Sequence, residues 1–311
     1  MKKIDKLYIG AFLCLLSVIA WGGMFPVMEV ALKVIDPFYF TLFRYGSASI
    51  IFLIMLYFIE GKNSFKLESN LFSLWLYGSA GFAGFGFFVF WGQQIIGGFH
   101  GAIAAAAIMA TMPFMGAILN KFLNKTKLAA FTGFAILAGL FGVLLIITSG
   151  DMNRLMSLKL SLGGDILIVA GAFCWVFYTM GITKFQSWSP LRYTALTSIF
   201  GVFTLLILIV IITSAGLLKV PGIAVIWYVR WELLYMILIA AVMAAFTWNA
   251  GNRIIHPING VLFMNFVPVT TFIIAILGNQ RVSYIEYLGA FIVISALVFN
   301  NIYVRKKVKS A

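Results

Sequence analysis

The sequence is poor in charged residues. Asp, Glu, Lys and Arg together make up 10% of its 311 residues, whereas a soluble domain carries about 25%. Hydrophobic residues make up 63%, and the mean hydropathy is +1.05. A soluble fold needs a polar surface that this chain lacks, so the composition excludes that class. It predicts an all-α integral membrane protein, because helices satisfy their own backbone hydrogen bonds in lipid.

The chain also has few residues of the kinds that build catalytic and metal sites. Its two cysteines, Cys14 and Cys174, lie inside apolar runs, which argues against a disulfide framework and a thiolate metal site. His100 and His256 lie at the ends of apolar runs, and no carboxylate or cysteine cluster accompanies either one. No glycine-rich phosphate loop follows a strand, so no ATP site is predicted. We expect neither an enzyme nor a cofactor.

The net charge of +13 points to the membrane rather than to nucleic acid. A nucleic-acid site needs Lys and Arg clustered on one solvated face, whereas these cations are scattered between apolar runs. Such scattered cations are typical of topology signals in loops. The expected partners are therefore a small-molecule substrate and membrane lipid, with no nucleic acid, and a homodimer stays open.

Ten apolar stretches are long enough to cross a membrane, which takes about 20 residues each. The run at 69–120 is too long for one helix, and we divide it at Gln93-Gln94 and the glycine-rich segment 97–100. The other eight runs cover 7–28, 37–59, 128–150, 166–183, 193–218, 233–252, 254–280 and 287–304.

Sorting the 22 cations by loop predicts the orientation. With both termini in the cytoplasm, 15 cations lie inside and 6 outside, which leaves Arg44 within a span. Cytoplasmic loops carry an excess of Lys and Arg. The distribution therefore predicts a multi-pass protein of the bacterial inner membrane with both termini in the cytoplasm.

The spans recur as an internal repeat. We assign the copies to 7–150 and 162–304, with five spans each. Because five is odd, the second copy enters the membrane from the opposite side, and inverted repeats suit a transporter that opens alternately to the two sides. Trp21 and Pro37 of the first copy match Trp175 and Pro190 of the second. Trp91, Gly101 and Pro113 match Trp248, Gly260 and Pro268, in that order, and Gly133 matches Gly289.

These motifs, in this order, resemble the EamA family of the drug/metabolite transporter superfamily. The resemblance rests on the segment 21–25, the spacing from Asp36-Pro37 to Arg44, the two prolines of the repeat and the Gly133 and Gly289 helices. It implies a ten-helix carrier, and many members export amino acids or related metabolites. The chain departs from the family where a Glu often follows each proline-bearing helix, since it has Lys125 and Gln280 there.

Arg44 is the only cation well inside a predicted span. A buried cation is costly in lipid and marks a pathway or a partner. Arg44 could bind a substrate carboxylate through two parallel hydrogen bonds. It could instead extend towards the membrane surface or pair with Glu29, which could also pair with Lys33 four residues on.

Polar and aromatic residues inside the spans supply the other candidates for a substrate site. Pro113 and Pro268 lie within spans and free the carbonyls of Met109 and Met264. Two interpretations stay open: each proline forms a kink that is packed against other helices, or its segment lines the substrate site. Buried amides and indoles need partners, and a polar solute would provide them. The predicted substrate-binding residues are Trp21, Arg44, Trp91, Gln94, Trp175, Tyr178, Trp248, Asn249 and Asn265.

We therefore expect a secondary transporter that works by alternating access and exports amino acids or related small metabolites. Export of drug-like amphiphiles is the alternative within transport. A membrane-embedded enzyme acting on lipid is the alternative from another class, and it would need a catalytic cluster at one membrane face.

Overall fold

The computed structural model describes residues 3–124, 129–148, 162–277 and 283–309. Within these ranges the secondary structure is helical and includes no β-strand, which confirms the all-helical class. Lys125, Gln280 and the predicted outer loop at 151–161 lie outside the described residues.

Sixteen α-helices follow one another within the described ranges. They are α1 Lys3–Gly22, α2 Met24–Ala31, α3 Pro37–Glu60, α4 Leu71–Gly78, α5 Phe85–Ile96, α6 Gly98–Met109, α7 Met112–Asn124, α8 Ala130–Thr148, α9 Leu162–Gly181, α10 Pro190–Ser214, α11 Ile223–Tyr228, α12 Arg230–Leu234, α13 Ala244–Ile255, α14 Pro257–Gly260, α15 Phe266–Leu277 and α16 Tyr284–Lys309. Several abut end to end through short 3₁₀ or π-helical segments.

Seven stretches of the described chain are long and apolar enough to cross a membrane. Two further apolar helices, Ala130–Leu145 and Tyr287–Asn300, are shorter. The chain is thus a multi-pass membrane protein, whereas the number of ten spans stays a prediction. The seven stretches are Lys6–Ala31, Pro37–Glu60, Leu71–Ile96, Ala104–Phe122, Gly163–Lys184, Pro190–Ser214 and Arg230–Ile255.

Helices α3 and α10 begin in the same way in the two halves. The Asp36 carboxylate accepts hydrogen bonds from the backbone N–H groups of Phe38 and Tyr39 at 2.8 and 3.4 Å. In α10, the Ser189 hydroxyl oxygen accepts from the N–H of Arg192 at 2.9 Å. A proline follows each cap, at the first helical position, where its missing N–H costs nothing. Arg192 therefore lies inside the first turn of α10 and does not precede the span, as the sequence had suggested.

The predicted break in the long apolar run is present. Helix α5 ends at Ile96, and Gly97 takes φ 80° and ψ 153° before α6 begins. His256 takes nearly the same conformation, φ 67° and ψ 142°, between α13 and α14. The offset of 159 residues between them is also that between Gly101 and Gly260. The same rare turn therefore joins consecutive helices in both halves, with glycine in one and histidine in the other.

Pro113 and Pro268 do not kink a continuous helix, which corrects the expectation from sequence. Helix α6 ends at Met109 and α7 begins at Met112, so Pro113 lies in the first turn of a new helix. Pro268 likewise lies in the first turn of α15, after the 3₁₀ segment Val261–Asn265. Proline is tolerated in a first turn because its N–H would have no helical partner there.

Two π-helical segments, Ser79–Gly84 and Tyr235–Met243, interrupt the long helices of the two halves. Trp91 and Trp248 match in the repeat and are 157 residues apart. Adding 157 to the numbers of the first segment gives 236–241, which lies inside the second segment. A π-helical turn widens the helix, and such turns are frequent at functional sites.

Four pairs of helices make the most extensive contacts between the two halves in the described part of the chain. Helix α1 packs on α13 and α9 on α5, while α3 packs on α10 and α8 on α16. In the repeat, α1 corresponds to α9, α5 to α13, α3 to α10 and α8 to α16. Exchanging the two halves therefore turns the α1–α13 pair into the α9–α5 pair and leaves the other two pairs unchanged, so the packing fits a two-repeat layout. Glycines permit close approach: a Cβ on Gly251 would lie 2.8 Å from the Gly10 carbonyl oxygen, and one on Gly92 would lie 2.5 Å from that of Gly164.

Candidate functional site

A small cavity lies between the two halves of the chain. Its volume of about 10 Å³ for water centres gives room for about one water molecule, so the lining side chains leave no space for a larger solute in this conformation. The cavity is lined by Trp21, Met24, Phe25, Arg44, Tyr45, Phe85, Met109, Met112, Trp175, Met264 and Val267.

The lining repeats with the chain. Met109 and Met264 each lie four residues before a proline of the repeat, and Trp21 and Trp175 are another matched pair. The broken helices α6–α7 and the segment from Val261 into α15 thus contribute equivalent positions from the two halves. Of the two hypotheses for the prolines, the structure favours the one in which their helices line a cavity.

Arg44 lies on this cavity with 1% of its surface exposed. Its Nη2 donates to the carbonyl oxygen of Ala240 at 3.0 Å, while Nε and Nη1 have no partner among the described residues. Its guanidinium carbon lies 4.5 Å from the centre of the Tyr45 ring. Arg44 therefore does not extend to the membrane surface, and Glu29 pairs with Lys33 at 3.5 Å.

Trp21 lies beside Arg44 and shares its acceptor. The indole Nε1 of Trp21 donates to the Ala240 carbonyl oxygen at 2.9 Å. Ala240 belongs to the π-helical segment, and Tyr235 at the start of that segment donates its hydroxyl proton to the Ala20 carbonyl at 2.5 Å. Sequence reasoning missed the Ala240 carbonyl, since no local pattern marks a π-helical turn, and it missed Tyr45, whose role depends on the position of Arg44 over its ring.

Three tryptophans form a cluster at the cavity, and two of them, Trp21 and Trp175, line it. The ring of Trp21 meets those of Trp175 and Trp248 edge to face, with both pairs of centroids 5.2 Å apart. The Trp248 Nε1 donates to the Thr179 hydroxyl at 2.9 Å. In contrast, the buried Nε1 of Trp175 has no partner among the described residues. Of the three indole N–H groups, only that of Trp175 is free for a ligand.

Tyr178 and Asn249 lie behind the cavity rather than on its wall. The Asn249 amide donates to the Tyr178 hydroxyl at 2.6 Å and to the Thr194 hydroxyl at 2.8 Å. Asn265, buried next to Met264, packs so closely on α8 that a Cβ on Gly139 would collide with its amide. These residues hold the wall in place in this conformation, and direct contact with substrate stays a prediction for them and for Trp248.

Trp91 and Gln94 are not brought to this cavity. Both are exposed, and they border a separate groove of about 560 Å³ near Asp36. Their neighbour Gln93 is buried and donates to the carbonyl oxygen of Phe25, a lining residue, at 3.1 Å. Successive helical residues point about 100° apart, so Gln93 and Gln94 cannot both face the centre.

A network of side chains links the loops at 61–70 and 185–189 at one end of the bundle. The Glu68 carboxylate accepts from the Trp188 indole and from Arg192, each at 2.8 Å. Arg192 also lies 3.9 Å over the Trp188 ring. The Trp188 indole and then the Arg192 guanidinium hold the pKa of Glu68 below its ordinary value. At the edge of the same network, the Ser189 hydroxyl donates to Glu60.

The comparisons with known proteins agree with this architecture. The family model described as "EamA-like transporter family" matches residues 8–148 and again 162–302. A relative from Bacillus subtilis strain 168, called uncharacterized transporter YrdR, is 38% identical over 99% of this chain and 95% of its own length. Uncharacterized transporter YyaM of the same organism is 28% identical, covering 88% of this chain and 87% of its own.

A solved crystal structure shares the fold. It superposes with a TM-score of 0.73 at 14% sequence identity, covering 95% of this chain and 98% of its own. The family model matches both halves, and the relative YrdR covers nearly the whole sequence. The chain therefore belongs to the EamA-like transporter family.

Proposed function

We propose that this protein is a secondary transporter that exports small carboxylate-bearing metabolites, amino acids among them, by alternating access through the central cavity. The observation that supports it most is Arg44, a buried cation on a cavity lined by both halves, with two N–H-bearing nitrogens unpartnered. Export from a bacterial cytoplasm follows the family resemblance and the orientation predicted by the loop cations.

A buried arginine without a carboxylate partner is costly unless something else compensates its charge. Within the described residues, the ion pairs are Glu29 with Lys33 and Glu68 with Arg192, and neither involves Arg44. The Ala240 carbonyl and the Tyr45 ring compensate part of the cost. Nη2 carries a second N–H, and this N–H forms a parallel pair with one of the unpartnered nitrogens, Nε or Nη1. A substrate carboxylate would accept from such a pair in the planar geometry that guanidinium groups favour.

Alternating access is supported by the small size of the cavity and by its duplicated walls. A metabolite does not fit into space for one water, so the halves must separate to admit it. The network between Glu68, Trp188 and Arg192 joins the loops at one end, which the predicted orientation places in the cytoplasm. We propose that the two five-helix repeats are inverted, so that an equivalent packing closes the other end.

Transport by purified full-length protein in proteoliposomes tests this proposal. Vesicles are loaded with labelled amino acids, one at a time, and efflux is compared with that from protein-free vesicles. We expect protein-dependent efflux of at least one carboxylate-bearing solute, stimulated by the same unlabelled solute outside. Efflux of a cationic amphiphile alone would reject carboxylate transport in favour of drug export. No flux of any of these solutes would reject the transport proposal.

A further inference from the structure

Among the described lining residues, the buried side-chain nitrogen and oxygen atoms that have no partner are all hydrogen-bond donors. They are Nε and Nη1 of Arg44 and Nε1 of Trp175. Arg44 is 1% exposed and Trp175 is 3% exposed. Arginine and indole N–H groups cannot accept hydrogen bonds. The wall therefore offers unpartnered donors from both halves to a group that only accepts.

The wall offers little to an ammonium group. None of its eleven residues is Asp or Glu. The buried amide oxygens without partners belong to residues such as Asn249 and Asn252, which do not line the cavity. Arg44 already occupies the face of the Tyr45 ring, and the Trp21 ring is engaged edge to face with Trp175. An ammonium brought here would lose its water without gaining a carboxylate or amide acceptor from a lining side chain, which is costly.

The rest of the wall suits an apolar body of variable shape. Four methionines line the cavity: Met24, Met109, Met112 and Met264. Their side chains are unbranched and flexible, so they adapt to different ligands as the space widens. Phe25 and Val267 add further apolar surface.

We infer that the preferred ligand of this cavity is an apolar organic monocarboxylate, and that an α-ammonium group weakens binding. The inference rests on the proposed transport function, whose substrate class it narrows. The carboxylate lies at Arg44, with Trp175 as a further donor, and the apolar chain lies among the methionines. Amino acids are then the weaker members of the transported class.

Four six-carbon probes that differ only in polar groups test the inference: hexanoate, L-norleucine, hexan-1-ol and n-hexylamine. Their dissociation constants are measured by isothermal titration calorimetry with the purified full-length protein in lipid nanodiscs at neutral pH. We expect hexanoate to bind at least tenfold more tightly than norleucine, and the alcohol and the amine to bind more weakly still. Norleucine or hexylamine binding as tightly as hexanoate would overturn the inference, as would no detectable binding of hexanoate.

Arg44→Gln tests the assigned donor, and it should reduce the preference for hexanoate over hexan-1-ol to within about twofold. Arg230→Gln is the matched control, because it also removes one cation, at a residue stacked on Trp227 and Trp231 away from the cavity. If Arg44→Gln does not fold, the binding of the four probes to the wild type still tests the inferred ligand class. A full preference retained by folded Arg44→Gln would overturn the assignment.

Efflux from proteoliposomes separates this inference from the function on which it rests. Protein-dependent efflux of norleucine without tighter binding of hexanoate would leave the transport function standing and overturn the inference. Tight hexanoate binding without flux of any solute would support the ligand class and overturn the transport function.

Discussion

Trp21 and Arg44 donate to the same backbone oxygen, the carbonyl of Ala240, at 2.9 and 3.0 Å. The donors come from helices of the first half, and the acceptor lies in the π-helical segment of the second half. This shared acceptor joins the two halves directly beside the cavity. A ligand that draws the Arg44 guanidinium away would leave Trp21 alone on that carbonyl, which couples ligand binding to the contact between the halves.

Trp21→Phe should mainly lower stability, whereas Trp175→Phe should mainly weaken ligand binding. Both variants lose the same ring area, but Trp21→Phe also removes the hydrogen bond to the Ala240 carbonyl oxygen, worth about 1 kcal/mol. Trp175→Phe removes a buried N–H without a partner, so it should be the more stable variant and the weaker ligand binder. Thermal unfolding in detergent and titration with hexanoate measure the two effects. Equal stability and equal affinity in the two variants would reject the distinction.

Gly97 and His256 should respond differently to substitution, although their backbones match. A side chain at Gly97 is strained because φ is 80°, so Gly97→Ala should lower the free energy of unfolding by about 1–3 kcal/mol. His256 already carries that strain at φ 67°, so His256→Gly should leave stability unchanged or raise it. The melting temperatures of the purified variants provide the measurement. A His256→Gly protein that is as unstable as Gly97→Ala would show that the imidazole outweighs the strain.

The link between the loops at 61–70 and 185–189 should weaken in acid. The pKa of Glu68 is lowered first by the Trp188 indole and then by Arg192, so the ionised form is the one that the fold stabilises. That stabilisation is complete above the unfolded pKa, about 4.3, and is lost as the pH falls through the folded value. Glu68→Gln should melt below the wild type at pH 7, and the difference should shrink as the pH falls towards 3. A difference that does not change with pH would contradict this account.

The orientation is tested by cysteine labelling from each side of the membrane, in a background without Cys14 and Cys174. Lys62→Cys should react with an impermeant maleimide only from the cytoplasm. Leu155→Cys and Leu217→Cys should react only from outside. Reaction of Leu155→Cys from the cytoplasm alone would reject the predicted orientation and, with it, the inverted repeat.

The sequence predicted much of the fold because its signals are local. Charge scarcity predicted a helical membrane protein, the turn at Gly97 lies where the glycines indicated, and Trp21, Arg44 and Trp175 converge on one cavity. The duplicated prolines marked helices that line that cavity, although each proline begins a helix rather than kinking one.

The remainder depends on tertiary packing. Gln94 was predicted as a site residue and stays a prediction. In this conformation Gln94 borders the separate groove and Gln93 donates to Phe25 of the cavity wall, because the rotation of a helix is set by its neighbours. The Ala240 carbonyl gains its role only when α1 and α3 pack against the π-helical segment. Tyr45 gains its role from the position of Arg44 over its ring.

Flux through Arg44→Lys protein in proteoliposomes is the most direct measurement of whether the buried guanidinium binds the transported carboxylate. Lysine keeps the charge but loses the planar pair of donors. Initial efflux rates of labelled hexanoate and norleucine are compared among wild type, Arg44→Lys and the control Arg230→Gln, at matched amounts of inserted protein. We expect Arg44→Lys to be at least tenfold slower than wild type for both solutes and Arg230→Gln to stay within twofold. Wild-type rates in a well-inserted Arg44→Lys protein would contradict the account.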